Sequence, residues 1–246
     1  MTHRIFTRIP AGDPAVIDAI GKSSVADLHE AMETIPGRMA LLDPAIAPLN
    51  RGLKIAGQAV TAHVFPGDGL AAYRALQLAS AGQVLVVTTA GQASAPMFAE
   101  LVSFAAREKG LAGVVVDGPV RDSDALSKDR FPVWCRGTYA GRLLKRGPGE
   151  VNVPIVCGGV LIEPGDVIVA DGDGVLRIPL TDASRALSVA QARARREDEI
   201  RAAIAAGANM FEVVGLQAAL DASDMIKIDG TWQQAAAVRG EARDRW

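Results

Sequence analysis

Two short apolar runs, VLVV at 84–87 and VVV at 114–116, constrain the fold of this 246-residue chain more than any other feature of its sequence. Uninterrupted apolar runs of this length are typical of strands that are buried on both faces. The segment between them has a helical pattern that reaches Gly110, a residue type suited to follow a helix C-terminus. A strand, a helix and a second strand at this spacing predict a βαβ unit with parallel strands and a right-handed crossover.

The helix inside this unit is predicted to begin at Ser94, which can cap it, with Pro96 in its first turn. Glu100 then lies near the start of the helix, where the positive end of the helix dipole favours a negative charge. The predicted apolar face of the helix consists of Met97, Leu101, Phe104 and Ala105.

The loops that follow the two strands carry small and polar residues, including Arg121 and Asp122 after the turn at 117–119. Parallel strands joined by a crossover end at the same edge of a sheet, and ligands commonly bind at that edge. We therefore expect loop 88–94, Glu100 and the Arg121–Asp122 pair to lie close together.

The remaining chain adds elements on both sides of this unit. The C-terminal extension, 208–246, contains a short helical pattern at 210–220, and we expect the preceding residues, 1–207, to form one domain. Further helices are predicted at 14–20, 25–35, 70–80 and 181–206. A strand with a bend or break at Gly57 is predicted over 53–64, and several short β segments are predicted within 131–180.

Composition excludes several classes of protein. The net charge of −2 makes nucleic acid and anionic membranes poor partners. Two cysteines, Cys135 and Cys157, do not form a disulfide framework and indicate free thiols in a reducing compartment. The N-terminus has no signal-peptide pattern, and no segment has the length of a membrane span. The expected location is therefore the cytoplasm.

The residue types at the predicted sheet edge suit a divalent metal and an oxo acid. A single carboxylate such as Asp122 suits Mg²⁺ or Mn²⁺, because these ions keep several waters and accept substrate as a ligand. The planar guanidinium of Arg121 can hold a carboxylate with two hydrogen bonds, and Glu100 can hold a water and pass a proton. The same residues are also typical of a surface ion pair and of a helix-dipole partner, so the pattern alone leaves both interpretations open.

Other chemistries receive little support. His3, His29 and His63 have no zinc-ligand spacing. A Schiff-base aldolase would need a buried lysine, and Lys54, in the predicted strand, is the candidate.

Residues 84–126 and 152–179 resemble the RraA-like family, which includes the class II 4-hydroxy-4-methyl-2-oxoglutarate/4-carboxy-4-hydroxy-2-oxoadipate aldolases. The similarity covers roughly 23–207. The discriminating motif is an acid, twenty residues and then Arg-Asp, present here as Glu100 and Arg121–Asp122. The chain departs from the family at Gly69, where asparagine is usual, and at Ala99, where glycine is common.

This resemblance implies roles for individual residues. Asp122 would hold the divalent metal, Arg121 would bind the oxo-acid end of the substrate, and Glu100 would position the catalytic water. Ala99 and Leu101, on either side of Glu100, are expected to contribute to substrate binding with Arg121.

The resemblance also implies a fold and an assembly. The expected fold is an α/β/β sandwich with a swivelling-domain-like core and a C-terminal helical extension. The expected assembly is a homotrimer or homohexamer whose site lies between subunits. An acid from the neighbour's C-terminal helix completes that site, with Glu199 as the candidate and Glu197 as its alternative.

The activity implied is retro-aldol cleavage of a 4-hydroxy-2-oxo dicarboxylic or tricarboxylic acid to pyruvate and a second oxo acid. Decarboxylation of oxaloacetate is the expected side activity, because it generates the same enolate. The alternative is a non-catalytic regulator that binds and inhibits a ribonuclease. Such relatives typically lack the Asp after the Arg, so Asp122 favours the enzyme.

Overall fold

The computed structural model describes residues 3–33, 40–89 and 95–233. The chain divides into two compact units, residues 1–194 and residues 195–246. Among the described residues, no helix is both long enough and apolar enough to cross a membrane. The helices are α1 (Pro14–Ile20), α2 (Val25–Glu33), α3 (Leu70–Leu78), α4 (Glu100–Glu108), α5 (Ser123–Asp129), α6 (Ala183–Ala205), α7 (Met210–Val213) and α8 (Leu216–Asp221).

The strands form one large mixed sheet and one small hairpin. Their bounds are β1 (Ala47–Pro48), β2 (Ile55–Val64), β3 (Val84–Thr88), β4 (Gly113–Asp117), β5 (Val133–Cys135), β6 (Gly149–Val151), β7 (Ile155–Cys157), β8 (Val160–Ile162), β9 (Val167–Asp171) and β10 (Gly174–Ile178).

The large sheet has the order β1-β5-β4-β3-β2-β9-β10, with β6 paired to β2 as well, and β7 and β8 form the hairpin. Strands β2 to β5 are parallel neighbours, whereas β9 and β10 are antiparallel. The parallel pairing of β3 and β4 around α4 confirms the predicted βαβ unit. Thr88 is paired with Asp117 in this register, so the loops after the two strands leave the same edge of the sheet.

The apolar runs that predicted β3 and β4 are buried on both faces, as expected. Alternate side chains enter different cores, because successive residues of a strand point to opposite faces. Each fully buried Val or Leu contributes roughly 1.5–3 kcal/mol through removal from water. One core, beneath α3 and α4, receives Leu85, Val87, Val114 and Val116, and the other, beneath the β7–β8 hairpin, receives Val84, Val86 and Val115.

Strand β2 is one continuous strand that joins two parts of the large sheet. Its first half pairs with β9, from Ile55 to Gln58, and its second half pairs with β3 from Ala59 onward. Gly57 lies in the first half, and a Cβ atom there would come within 2.2 Å of the Gly82 carbonyl oxygen. The glycine therefore permits close backbone approach at the start of β3.

A third core lies against β9 and β10. Helix α6 contributes Ala183, Ala186 and Ala190, which repeat at helical spacing along one face and are buried. The predicted helix at 181–206 is confirmed by α6, which a 3₁₀ turn at Leu180–Asp182 precedes. The C-terminal helical pattern is also confirmed, as α7 and α8 with Gly215 between them at a φ of 77°.

The predicted start and apolar face of α4 were wrong. The helix begins at Glu100 rather than near Pro96, and Ser94 lies outside the described residues. Its buried side chains include Val102 and Ala106. The residues just before the helix are extended and bonded to the loop after β4, and that pairing delays the start of the helix. Of the predicted face, Leu101 and Phe104 are exposed and Met97 is buried ahead of the helix.

Candidate functional site

The loop after β4, residues 118–122, is held by hydrogen bonds on both sides. On one side, the Met97 amide donates to the Pro119 carbonyl oxygen (3.0 Å), and the Arg121 amide donates to the Phe98 carbonyl oxygen (3.0 Å). On the other side, the Val120 amide donates to the Gly137 carbonyl oxygen at 2.9 Å. This pairing fixes the direction in which the following residues leave the sheet edge.

Asp122 follows this loop in the left-handed region, with φ 60° and ψ 38°. Aspartate tolerates this conformation better than most residues. Asp122 precedes α5, but its side chain does not cap that helix. Instead its Oδ2 accepts a hydrogen bond from the Glu100 amide at 3.3 Å, and Arg121 Nε lies 3.4 Å from the same oxygen. The structure therefore brings the backbone of Glu100 and the side chains of Arg121 and Asp122 together at the predicted sheet edge.

The Arg121 guanidinium has unused hydrogen-bonding capacity. Its Nη1 donates to the Gly141 carbonyl oxygen at a long distance of 3.4 Å. Its Nε is buried and makes no hydrogen bond to the described residues, although it lies at ion-pair distance from Asp122. A buried donor without a partner costs roughly 1–3 kcal/mol. An anionic ligand that accepts from Nε would remove this cost.

A strongly basic cleft of about 430 Å³ opens beside Arg121. Its cationic residues are Arg121 itself and three side chains of the segment 142–146. The Lys145 ammonium lies 4.5 Å from the centre of the Tyr73 ring, within cation–π distance. The residues that line the cleft are Tyr73, Ala99, Arg121, Arg142, Leu143, Leu144, Lys145 and Arg146.

The family of the chain follows from comparison with known proteins. The RraA-like family model, described as Aldolase/RraA, matches residues 25–177. The chain belongs to the RraA-like family. A Halalkalibacterium halodurans protein, provisionally named a 4-hydroxy-4-methyl-2-oxoglutarate aldolase, is 41% identical over 160 residues, which are 65% of this chain and 76% of that protein. A Burkholderia mallei protein with the same provisional name is 35% identical over 154 residues, which are 63% of this chain and 92% of that protein.

Solved structures of the RraA-like family share the fold. Streptomyces coelicolor RraAS2, described as an unusual member of the RNase ES inhibitor RraA protein family, superposes with a TM-score of 0.70. It is 29% identical, and the match covers 79% of this chain and 98% of RraAS2. The expected mixed α/β fold with an RraA-like core is thereby confirmed.

Sequence reasoning missed the basic segment of this RraA-like protein. Arg142, Lys145 and Arg146 are close together in sequence, but no periodic pattern connects them with Arg121. Asp68 holds the segment in place, because its carboxylate accepts from the Arg146 amide at 2.6 Å. The contact with Arg121 is made by the Gly141 carbonyl oxygen, which accepts from Nη1 of Arg121. The sequence signal that could have indicated the first of these contacts is an acid, Asp68, between two glycines and just before a helix, and the structure shows that this acid is buried.

Asp68 fastens the basic segment to the N-terminus of α3. Its second carboxylate oxygen accepts from the Leu70 amide at 2.9 Å. Burial by itself would raise the pKa of Asp68. The hydrogen bonds from the amides of Leu70, Arg146 and Gly147 outweigh burial and hold the pKa below the usual value of 3.8. The carboxylate is therefore a charged clamp between two backbone segments.

The family departure at Gly69 has a local steric cause. A Cβ atom at Gly69 would lie 2.4 Å from Cδ2 of Leu143. The Gly69 amide also donates to the Leu144 carbonyl oxygen at 2.9 Å. Leu143 lines the basic cleft, so Gly69 allows this apolar side chain to take the space beside it.

A second groove, of about 290 Å³, lies between α4 and α5. Glu100 and Leu101 both line it, with Phe104 and Asp129. Ala99 faces the basic cleft instead. The two residues predicted to flank Glu100 in substrate binding thus line different depressions.

The donor set at Asp122 fits one kind of metal ion. No group of three or more His, Cys, Asp or Glu side chains suited to a metal occurs among the described residues. Asp122 is a partly exposed carboxylate, and Nε of its neighbour Arg121 makes no hydrogen bond to the described residues. The arrangement suits Mg²⁺ or Mn²⁺, which take most of their ligands from water and substrate.

The two predicted acids of the C-terminal helix lie in the second compact unit. Glu199 pairs with Arg196 at 3.1 Å, and Glu197 pairs with Arg201 at 2.7 Å. All four side chains are exposed by more than a third. Exposed pairs of this kind are weak and exchange partners readily.

Lys54 has the surroundings of a structural lysine. Burial lowers its pKa, whereas the nearby carboxylates of Asp171 and Asp27 act in the opposite direction. Its ammonium group donates to the Ser23 carbonyl oxygen. This contact connects the start of β2 with the residues before α2.

Proposed function

We propose that this protein is a divalent-metal-dependent lyase that cleaves a 4-hydroxy-2-oxo acid to pyruvate and a second oxo acid. The observation that carries the proposal is the position of Asp122, whose carboxylate lies against both Arg121 and the amide of Glu100. The aldolase names of the two sequence relatives support the same reaction class.

In the reaction, the C4 hydroxyl loses its proton and the C3–C4 bond breaks. The electron pair of that bond moves onto the pyruvate half, which then takes a proton at C3. The protein must therefore hold the 2-oxo acid end, stabilise negative charge as it develops there, and supply a group that moves protons.

Asp122 would hold the metal, either Mg²⁺ or Mn²⁺. A bound divalent cation supplies Lewis-acid stabilisation of the negative charge on the oxo-acid oxygens. The left-handed backbone of Asp122 keeps its carboxylate away from the N-terminus of α5, so the oxygens are not occupied by capping their own helix.

Arg121 would bind and orient the oxo acid. Its backbone is fixed by the bond to Phe98, and its Nε is a buried donor with no hydrogen bond to the described residues. A preorganised guanidinium stabilises developing negative charge without first reorganising, which makes such groups effective in catalysis.

Glu100 would hold a water and move the proton of the C4 hydroxyl. It begins α4, and its own amide contacts Asp122, so its backbone is fixed relative to the metal-holding residue. Ala99 lines the basic cleft and would contact the substrate there, whereas Leu101 lines the separate α4–α5 groove.

We assign the last acid to a neighbouring copy of the chain in a homotrimer or homohexamer. Glu199 of the partner subunit is the first candidate, and Glu197 of the partner subunit is the alternative. Both glutamates form exposed ion pairs within their own helix, and breaking such a pair to bind at another subunit's site costs little free energy.

The basic cleft supports a polycarboxylate substrate. A monocarboxylic oxo acid needs one cation for its carboxylate, which Arg121 supplies. Arg142, Lys145 and Arg146 supply further positive charge in the same cleft and suit the additional carboxylates of a dicarboxylic or tricarboxylic acid. Oxaloacetate, a dicarboxylic 2-oxo acid, is the expected substrate of a decarboxylase side activity.

The rival function is inhibition of a ribonuclease, because RraAS2 is described as a member of an RNase ES inhibitor family. A protein-binding regulator has no need of a carboxylate and an arginine side by side at a sheet edge. The site geometry therefore favours the lyase over the regulator.

The deciding experiment follows pyruvate release from oxaloacetate and from 4-carboxy-4-hydroxy-2-oxoadipate with Mg²⁺, with Mn²⁺ and with EDTA. Oxaloacetate decarboxylates slowly with free metal, so the Asp122→Asn protein serves as the matched control. We expect EDTA to abolish release by the wild-type protein and Asp122→Asn to match the metal-only rate. If both proteins release pyruvate at the same rate and the wild type inhibits RNase ES, the lyase proposal is wrong and the protein is a regulator.

A further inference from the structure

Arg136 makes an unusual set of bonds directly beneath the site loop. It follows β5, and its backbone amide donates to the Gly118 carbonyl oxygen at 3.0 Å. Its Nε donates to Oδ1 of Asp117 at 2.5 Å, and its Nη1 donates to Oδ2 of Asp43 at 2.8 Å. One residue therefore joins the end of β4, the start of the site loop and the segment before β1.

Asp117 is the inner partner in this network. It is the last residue of β4 and is only 4% exposed. Its second oxygen accepts from the Gly158 amide at 2.8 Å, so the hairpin of β7 and β8 is joined to the same carboxylate. A buried carboxylate of this kind needs its cation, because an uncompensated buried charge is strongly destabilising.

The pairing beyond Arg136 extends along the site loop. The Val120 amide donates to the Gly137 carbonyl oxygen, and the Tyr139 amide donates to the Val120 carbonyl oxygen at 2.8 Å. The segment 136–139 thus forms one wall of the loop that ends in Arg121 and Asp122. The position of this wall depends on where the Arg136 side chain is fixed.

We propose that Arg136 is a positioning residue, which acts through Asp117 and Asp43 to hold the loop that carries Arg121 and Asp122. It does not reach the site itself. A lysine would keep the charge but could not direct two donors along the fixed directions of a guanidinium, so the substitution removes the geometry and keeps the electrostatics. The catalytic part of this inference rests on the proposed lyase activity.

The test compares Arg136→Lys with a matched control, Arg177→Lys. Arg177 on β10 also donates through Nε to a buried carboxylate, that of Asp166, at 2.7 Å. Each arginine pairs with one buried and one more exposed carboxylate in the same compact unit, Arg136 with Asp117 and Asp43 and Arg177 with Asp166 and Glu163. The control pairs make no contact with the site loop. Asp43→Ala serves as a milder second variant, because the Asp43 side chain is 42% exposed and its removal leaves the Asp117 pair in place.

Two measurements are needed. The first is hydrogen exchange of the Val120 and Arg121 amides, referred to the core amide of Val86 in the same sample. The second is kcat and KM for oxaloacetate with Mg²⁺. We expect Arg136→Lys to lower the relative protection of both loop amides about tenfold. We also expect it to lower kcat about tenfold and to change KM less than about threefold. Asp43→Ala should lower amide protection and kcat by a smaller factor. Arg177→Lys should leave amide protection and kcat unchanged.

Unchanged relative protection in Arg136→Lys, or an equal loss in Arg177→Lys, would overturn the proposal. Lost protection with an unchanged kcat would also overturn it, because the loop order would then be irrelevant to catalysis. A wild-type protein without lyase activity would overturn the proposed function, and the exchange comparison would still decide whether Arg136 orders the loop.

Discussion

The backbone amide of Glu100 lies 3.3 Å from Oδ2 of Asp122. This hydrogen bond joins the first residue of α4 to the residue before α5, so the two helices that follow neighbouring parallel strands meet at one carboxylate. The same carboxylate lies 3.4 Å from Arg121 Nε. Asp122 is therefore the point at which the proposed metal, oxo-acid and proton-transfer functions are connected.

Replacement of Asp122 by asparagine should abolish turnover and leave the fold intact. Asparagine tolerates the left-handed backbone that Asp122 adopts, whereas the amide is a poor metal ligand. We expect kcat/KM to fall at least about a thousandfold, with a change in unfolding free energy below about 0.5 kcal/mol. Steady-state kinetics and urea titration test this. Retained metal-dependent activity would show that another residue holds the metal.

Removal of the Lys145 charge should weaken the binding of polycarboxylate substrates. Lys145→Met keeps most of the length of the side chain and removes the ammonium group, with its cation–π contact to Tyr73, from the basic cleft. KM for a tricarboxylic substrate should rise about tenfold, with a smaller rise for oxaloacetate. Lys128→Met, on the exposed side of α5, is the control. Equal KM values for the two variants would exclude the cleft from substrate binding.

Gly69 and Leu143 should behave as a coupled pair. Gly69→Ala places a Cβ atom against the end of the partly buried Leu143 side chain, which can turn aside, and should cost about 0.5–1.5 kcal/mol of unfolding free energy. Leu143→Ala makes room, so the double variant should recover at least about half of that cost. Thermal unfolding of the four proteins in a double-mutant cycle measures the coupling energy. Additive effects would contradict the steric explanation for glycine at this position.

Acid should release the basic segment by protonating Asp68. The folded-state pKa of Asp68 lies below the usual value of 3.8, so its ionised form stabilises the native state. This stabilisation is present above about pH 4 and is lost as the pH falls below 3.8 through the folded pKa. Asp68→Asn should therefore be less stable than the wild type near neutral pH, and the difference should shrink in acid. A difference that is constant with pH would contradict this role.

Mixed oligomers should reveal a site shared between subunits. Asp122→Asn and Glu199→Gln should each be inactive, because each removes one half of every site. When equal amounts of the two variants are mixed, dissociated and reassembled, about a quarter of the sites should contain an intact Asp122 and an intact Glu199 of the partner subunit. Recovery of activity on mixing measures this fraction. Activity in Glu199→Gln alone would move the assignment to Glu197, which the same mixing experiment with Glu197→Gln would test.

The sequence alone determined the central βαβ unit and the edge at which chemistry is concentrated. Runs such as VLVV have few alternatives, because strands buried on both faces must be apolar at every position. Because the two strands are parallel, the loops that follow them must share an edge of the sheet, and this places Arg121 and Asp122 near Glu100. These conclusions depend on local pattern and on chain connectivity.

The tertiary structure alone decided where α4 begins and which cations surround Arg121. Residues just before Glu100 bond to the loop after β4, and this non-local pairing overrides the capping signal at Ser94. The basic segment is held in place by one buried carboxylate, Asp68, from a turn far away in sequence. No periodic sequence pattern predicts either contact. Each depends on where distant backbone segments meet, which is fixed only when the whole sheet is packed.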